Sequence, residues 1–354
     1  MAARLRQGRV MAAVVMTDDG IVFDGLSPSR GPLGGAEAAF LAAAEALAAR
    51  GHSVCVRNRC AAPLTHHGVD WAPLAGGVPE TCDLYIANRS DHLIGLAPRA
   101  RRRLFWIHNP GRYLHKWRYV GALWRDRPVI VTSGRYHSST VPRWLPSGGR
   151  VSIPYAIPDA FRHAAPLPAP PPPRAIFTSN PLRGLDWLLD LWEQHIAPAV
   201  PQAELQLYSG PAVYGAAGDA KAAPMRAVLA RADALAGKGV RLHPPLPREG
   251  LIAALRGSRV MLYRGDLNET FCMSVAEAQA LGVPAVVQPL GSLPERVQDG
   301  ITGFVAGDDE SFAQHAIALL TDDALWRRQH EAALRLQAGA SAEDVAQRFE
   351  ALLS

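Results

Sequence analysis

Short runs rich in β-branched and aromatic residues alternate with longer Ala- and Leu-rich runs along most of the chain. "VMAAVVM" predicts a first strand, spanning roughly Gly8 to Met16, ahead of a Gly-rich turn. The helix "AEAAFLAAAEALAARG" follows, and Gly51 marks its end. "HSVCVRN", "CDLYIANRS", "RRLFWIH" and "PVIVTS" then predict strands, most of them followed by turn or helix signals. Strand–helix alternation of this kind predicts a parallel sheet covered by helices, a Rossmann-like half.

The pattern breaks at "HAAPLPAPPPPRA", where six prolines fall between His163 and Ala175. Proline fixes φ and lacks an amide donor, so this stretch predicts a stiff, extended connector. Beyond it the alternation restarts. "RAIFTS", "AELQLYSG", "VRLHPP", "RVMLYR" and "PAVVQP" predict strands, and "GLDWLLDLWEQHI", "AAPMRAVLARADALAG" and "REGLIAALRGS" predict helices. The expected organisation is an N-terminal domain over residues 1–163, a hinge over 164–174, a C-terminal domain over 175–335 and a final helix over 336–354. That helix is placed to pack back on the first domain. A chain of 354 residues exceeds what one compact core usually serves, which agrees with two α/β domains around a cleft.

Composition changes this picture little. Hydrophobic residues at 48% and charged residues at 19% give ample material for two cores. No apolar run reaches the length of a membrane-spanning helix. The start, with basic residues and a short apolar run, reads as a buried strand rather than a signal peptide, so a cytoplasmic location is expected. The four cysteines show no CxxC pair and no spacing with histidine that would make a zinc site. The net charge of +5 is uneven, because nine arginines and lysines fall between Arg99 and Arg127. Such a cluster either attracts an anionic acceptor, a phospholipid surface or nucleic acid, or forms a solvated face.

The chemistry concentrates in "YRGDLNETFCMSVAEAQALGVP", Tyr263 to Pro284. A strand "RVMLYRG", a loop "DLNET" and a helix "FCMSVAEAQALG" would expose the free amides of Thr270, Phe271 and Cys272 to a phosphate or sugar oxygen. Glu269 sits at the predicted cap, and Glu277 lies roughly 12 Å further along if the segment between them is helical. Two carboxylates that far apart cannot act on one atom. They suit the two ends of an extended, hydroxyl-rich ligand. Gly34 and Gly35, just ahead of the first long helix, would let a diphosphate approach the backbone. His108 ends a strand at the same edge of the sheet, where a histidine is either a ligand contact or a satisfied structural group. His52, His66, His67, His137 and His243 carry no predicted role.

"ETFCMSVAEAQALGVPAVV" resembles the signature of retaining glycosyltransferases of the GT-B fold, family 4. "GSLPERVQDGITGFV", "VSIPYAIPDAF" and "LGGAEAAFLAAAEALAARGHSV" resemble further blocks of that family in the expected order. The likeness is continuous from about residue 176 to 307 and patchy before it. It implies two Rossmann-like domains facing each other across a cleft and a nucleoside-diphosphate sugar as donor. Glu269 would contact the sugar, Glu277 the ribose hydroxyls, and Phe271 and Cys272 the sugar or phosphates. "SNPLRGLDWLL" resembles the family's diphosphate clasp, with Arg183 at its lysine position. Ser179 and Asn180 stand where the family has Gly-Arg. Cys272 stands where the family has glycine. Tyr208 to Gly210 and Pro244 to Leu246 fall where the family assembles its nucleobase slot.

The expected catalytic set is therefore Glu269, His108 and Arg183. Donor contacts are expected from Gly34, Gly35, Asn180, Arg183, Thr270, Phe271, Cys272 and Glu277. No metal is expected: no DxD pair precedes a plausible metal loop, and Asp308–Asp309 and Asp322–Asp323 occupy capping positions. The expected acceptor is a glycan, a lipid-linked molecule or a small molecule, with peripheral membrane contact through the Arg99–Arg127 region and no nucleic acid. Epimerase or hydrolase activity on the same fold, and a non-catalytic sugar-binding scaffold, are the competing readings. A dehydrogenase is disfavoured because no GxGxxG follows the first strand.

Overall fold

The computed structural model of the chain describes residues 11–31, 33–210 and 222–353. The start of the predicted first strand before Met11, and Pro32 of the Gly-rich turn, lie outside them. The first sheet contains β1 (Ala13–Thr17), β2 (Ser53–Asn58), β3 (Leu64–His66), β4 (Val69–Pro73), β5 (Thr81–Asn88), β6 (Arg99–Trp106), β7 (Val129–Thr132) and β8 (Gly149–Ser152). Their order across the sheet is β3-β4-β2-β1-β5-β6-β7-β8. All neighbours are parallel except β3, which folds back antiparallel on β4. The central strands read as unbroken apolar runs because helices cover both faces of a parallel sheet. Val14, Met16, Leu84, Ile86, Leu104 and Trp106 are all fully buried in that core.

The second sheet holds β9 (Arg174–Phe177), β10 (Glu204–Tyr208), β11 (Val240–His243), β12 (Val260–Tyr263), β13 (Ala285–Val287) and β14 (Gly303–Val305). They run in the order β11-β10-β9-β12-β13-β14, and every pairing is parallel. The hairpin β3–β4 and the short edge strands β8 and β14 do not stand out in the sequence, since three to five residues carry too little periodicity. The predicted helix from Leu185 is interrupted by a π-helical turn, Trp192–Ile196.

The proline-rich connector lies along the second domain. The Arg259 Nε donates to the Pro171 carbonyl at 2.6 Å, and the Leu167 amide to His330 Nε2 at 2.9 Å. A second crossing is made by the helix Ala342–Glu350, whose amino end is closed by a reciprocal bond set between Ser341 and Asp344. Phe349 on this helix is fully buried and meets the Trp106 ring edge-on, with centroids 5.2 Å apart. Glu350 accepts from Arg50 and pairs with His52 at 2.8 Å, and Glu343 pairs with Arg50 at 2.7 Å. The Ile157 amide donates to Ala340 at 2.8 Å, which extends the contact into the crossover. Parallel strands bring their carboxyl ends to one edge of each sheet. In the first domain that edge carries Asn88, His108 and Ser133; in the second it carries Ser179, Arg264 and the Glu269 loop.

Candidate functional site

Glu269 is buried, at 5% exposure, in the loop after β12. Its Oε1 accepts from two donors at once, the Arg183 guanidinium and the Tyr263 hydroxyl. Arg183 comes from the loop after β9, the neighbour of β12, which is why residues 86 apart in sequence meet here. Burial opposes the Arg183 charge, but Glu269 and Tyr263 outweigh it and raise the guanidinium's pKa. The Arg183 side chain is still 42% exposed, so its outer face is open to a ligand. The sequence expectation separated these roles, Glu269 on the sugar and Arg183 on the diphosphate. In the structure they form one ion pair. Tyr263, which sequence reasoning placed only as a strand residue, is its third member.

The helix expected to begin near Phe271 begins at Met273, because Cys272 adopts a left-handed conformation with φ 63° and ψ 77°. The first free helix amides are therefore those of Met273, Ser274 and Val275 rather than Thr270, Phe271 and Cys272. The estimate of 12 Å between the two glutamates, which assumed helix throughout, does not apply to this geometry. A non-glycine residue at this φ costs about 1–2 kcal/mol. That cost gives a physical reason for glycine at this position in the resembling family. Burial raises the Cys272 thiol pKa, which keeps the sulfur protonated and unsuited to attack.

Thr270 and Phe271 face the other domain. The Thr270 hydroxyl donates to the His108 carbonyl at 2.6 Å, and the Ser133 hydroxyl donates to the Thr270 carbonyl at 2.8 Å. Phe271 packs on Tyr155, with centroids 4.8 Å apart, and the Arg296 guanidinium lies 4.4 Å from the Phe271 ring centroid. Glu295 accepts from the Tyr136 amide, and the Tyr136 hydroxyl donates to the Leu267 carbonyl at 2.6 Å. The motif loop is thus the joint on which the two domains meet, a role its spacing in sequence could not reveal.

His108 lies at this joint but has no free ring nitrogen. Asn88 commits its amide to Asp18 at 2.6 Å, so its Oδ1 accepts from His108 Nε2 at 2.6 Å. The Tyr155 hydroxyl then donates to Nδ1. Burial, helped by Arg89 and His137, holds His108 well below its ordinary pKa, so the imidazole stays neutral. In this conformation His108 positions the joint and is not available as a proton carrier. Asp18 also pairs with Arg89 at 2.9 Å, and Arg89 pairs with Glu37 at 2.9 Å. This chain of polar side chains was missed from the sequence, although polar residues closing apolar strands (Asp18 after β1, Asn88 in β5) are the signal that marks it.

Gly34 caps the helix Gly35–Ala49 in extended conformation. A Cβ on Gly34 would fall 2.5 Å from Glu37 Oε2, and one on Gly35 would lie 3.8 Å from the Met273 Cβ. Gly34 therefore makes room for Glu37, and Gly35 is the glycine that faces the second domain. Asn180 accepts the Leu182 amide on Oδ1 at 2.9 Å and the Arg183 amide on its carbonyl at 2.9 Å, which shapes the loop presenting Arg183. Arg264 is held over the Trp187 ring at 5.2 Å. Tyr208 stacks on His243 with centroids 4.7 Å apart at the end of the second sheet. Asp308 and Asp322 cap helices through their carboxylates, and Asp309 accepts from Trp187 and Gln288.

Glu277 differs from every group above. It is half-buried on the helix Met273–Ala280, and among the described residues its carboxylate has no hydrogen bond or ion pair. Burial pushes its pKa up to about 7, with Arg248 the opposing charge. On the first-domain side of the joint, Asp19, Arg89, Asp91, Tyr113, Lys116 and Arg118 are among the residues lining a recess of about 320 Å³. The Tyr113 hydroxyl there is buried and has no hydrogen-bond partner among the described residues. Arg118 pairs with Asp91 at 3.5 Å, whereas Lys116 has no ion-pair partner among the described residues.

Two parallel-sheet α/β domains meeting through their strand ends define the GT-B architecture. Residues 173–322 match the family model described as glycosyl transferases group 1. Among relatives, a D-inositol 3-phosphate glycosyltransferase of Thermobifida fusca is 33% identical over 95 residues, 27% of this chain and 22% of that protein. One from Mycobacterium sp. (strain KMS) is 34% identical over 140 residues, 39% of this chain and 29% of that protein. The chain thus spans under a third of the length of these relatives. Across the whole chain, sucrose-phosphate synthase from Thermosynechococcus elongatus superposes with a TM-score of 0.74 at 16% identity, covering 96% of this chain and 98% of that one. Anabaena HepE in complex with UDP and glucose superposes with a TM-score of 0.70 at 14% identity, covering 97% and 99%. These structures share the fold of this chain.

Proposed function

We propose that the chain transfers a hexosyl-type unit from a nucleoside-diphosphate sugar to an acceptor hydroxyl, with retention at the anomeric carbon and without a metal, as in family 4. The observation that carries this reading is Glu277. A half-buried carboxylate with no hydrogen-bond partner among the described residues loses solvation that the Arg248 charge offsets only in part, until a ligand brings hydroxyl donors to it. A ribose diol supplies two. Arg183 then turns its exposed face to the diphosphate, aided by the amides of Met273, Ser274 and Val275. Glu269, released from part of its pairing, takes the sugar hydroxyls. The donor's own phosphate receives the acceptor proton as the new glycosidic bond forms on the face the diphosphate leaves. That route needs no protein nucleophile and does not ask His108 to carry a proton. The recess beside Lys116 is read as the acceptor pocket, where aspartates and basic side chains together suit a hydroxylated molecule.

Donor binding should depend on pH in a direction set by Glu277. Its folded pKa of about 7 lies above the ordinary 4.5, so without ligand its contribution favours folding below pH 4.5 and fades as the pH rises to about 7. The donor diol needs the ionised form, so affinity should rise with pH and fall up to about tenfold per unit below about pH 7. Thermal shift and calorimetry with UDP-, GDP-, dTDP- and ADP-sugars measure this. Glu277→Ala should weaken binding by at least about 10²-fold, since two hydrogen bonds to a charged group are lost. No shift with any nucleotide sugar defeats the donor reading, and a flat pH profile between 5.5 and 8.5 removes Glu277 from it.

Membrane contact through the Arg99–Arg127 region belongs to the same proposal. The helix Trp117–Asp126 turns Tyr119, Ala122 and Leu123 inward and leaves Trp117 at 87% and Trp124 at 72% exposure. Seven residues apart, these tryptophans share one helix face. Arg118 and Arg125 are exposed beside them, and Lys116 and Arg127 flank the helix. Trp with Lys and Arg on one surface is the composition that seats a helix at an anionic lipid interface. Among the described residues no helix is long and apolar enough to cross a membrane. Co-flotation with phosphatidylglycerol vesicles, weakening with salt and at least about tenfold in Trp117→Ala/Trp124→Ala, is the expected result. Equal flotation with neutral vesicles, or none with anionic ones, counts against it.

A further inference from the structure

In "LTHHGVD", Leu64 to Asp70, two adjacent histidines fall at the tip of the β3–β4 hairpin. Successive side chains of an extended strand point to opposite faces, so His66 and His67 should diverge. They do not. His67 is left-handed, with φ 45°, and Gly68 follows with φ 76°, making the tight two-residue connection in which His66 pairs with Val69. The left-handed turn swings the His67 ring back onto His66, with centroids 3.9 Å apart and planes 28° from parallel. Glu45, on the helix Gly35–Ala49, reaches the same place, its Oε1 3.0 Å from His67 Nδ1. One ligating atom from each of Glu45, His66 and His67 lies within 4.8 Å of the others. Asparagine or glycine meets such a turn with less strain, and a strained conformation held by its surroundings points to a use for the side chain.

We propose that Glu45, His66 and His67 bind a divalent transition metal of the zinc type. Two imidazole nitrogens and one carboxylate oxygen suit Zn²⁺, Ni²⁺ or Cu²⁺, and do not suit Mg²⁺ or Ca²⁺, which take oxygen cages. The His67 side chain is 66% exposed, which leaves water access to a fourth position. Two close packings hold the frame. A Cβ on Gly25 would fall 2.8 Å from the His66 Cβ, and one on Gly68 3.4 Å from the Ala48 Cβ. Tetrahedral coordination brings ligand atoms to about 3.4 Å from one another, a closure that side-chain rotation supplies. The bound ion would staple the hairpin to the helix whose first residue, Gly35, faces the second domain. Glu45 is ten residues from Gly35, about 15 Å along the axis, so the site is separate from the donor groups and independent of the proposed transfer.

Equilibrium dialysis and thermal shift on the untagged full chain with ZnCl₂ or NiCl₂ test this directly. One ion bound per chain, a raised unfolding midpoint reversed by EDTA, and no effect of MgCl₂ or CaCl₂ are expected. His66→Ala, His67→Ala and Glu45→Ala should each weaken the affinity at least about tenfold. His67→Gly adds a control against simple unfolding: its metal-free midpoint should not fall, because glycine accepts the turn, while its zinc-dependent rise disappears. Zinc binding unchanged in His67→Ala, or no saturable binding of one ion, overturns the proposal.

Discussion

Glu269→Gln is expected to lower the rate of the proposed transfer by roughly 10²-fold while leaving the chain folded. The neutral amide keeps the shape of the side chain but loses the charge that two buried-side donors now share, and a hydrogen bond to a charged group contributes about 1.5–3 kcal/mol. Arg183 and Tyr263 both donate to the same oxygen, so in this variant they share only a neutral acceptor and Arg183 loses its counter-charge. Because Glu269 and Arg183 touch, their effects should not add. Arg183→Ala alone should raise the donor KM and lower kcat. The double variant should be less impaired than the product of the two singles by about 0.5–3 kcal/mol. Steady-state kinetics on the four proteins decides the point. Strict additivity would mean that the pair seen here does not act in the proposed transfer.

The second large effect concerns stability. Phe349→Ala should destabilise the chain by about 3–5 kcal/mol, the usual loss for a fully buried phenylalanine. Phe349 seals the C-terminal helix against Trp106 in the first domain although the helix follows the second domain in sequence. The loss should appear in urea unfolding as a lower midpoint for the first domain, together with faster proteolysis after Leu336. An unchanged midpoint would show that the ion pairs of Arg50 and Glu350 hold the helix without the aromatic contact. Those pairs are partly buried, with the Arg50 side chain 8% and the Glu350 side chain 20% exposed.

The two-domain parallel α/β architecture was legible in the sequence because it rests on signals that each run of residues carries by itself. Strands buried on both faces must be continuously apolar, helices must follow them in a parallel sheet, and six prolines in thirteen residues cannot continue either element. The hairpin β3–β4 was not legible, since three- and five-residue strands show little period. Its left-handed His67 is a backbone property that a sequence pattern does not encode.

The residues of the candidate site were named from the sequence, but their mutual relations were not. Local order supplied "ETFCMSVAEAQALG" and the oddity of Cys272. Only the fold could bring Arg183 from the end of β9 onto Glu269 beyond β12, since that contact follows from the two strands being neighbours across the sheet. Only the fold could turn Thr270 and Phe271 toward the first domain and commit both nitrogens of His108 to Asn88 and Tyr155. Glu277 shows the same division. The sequence by itself determined that a carboxylate stands on the helix after the motif loop. The packed structure alone decided that this carboxylate has no partner among the described residues and that its pKa is raised to about 7, because desolvation acts on a charge only after the chain has closed around it.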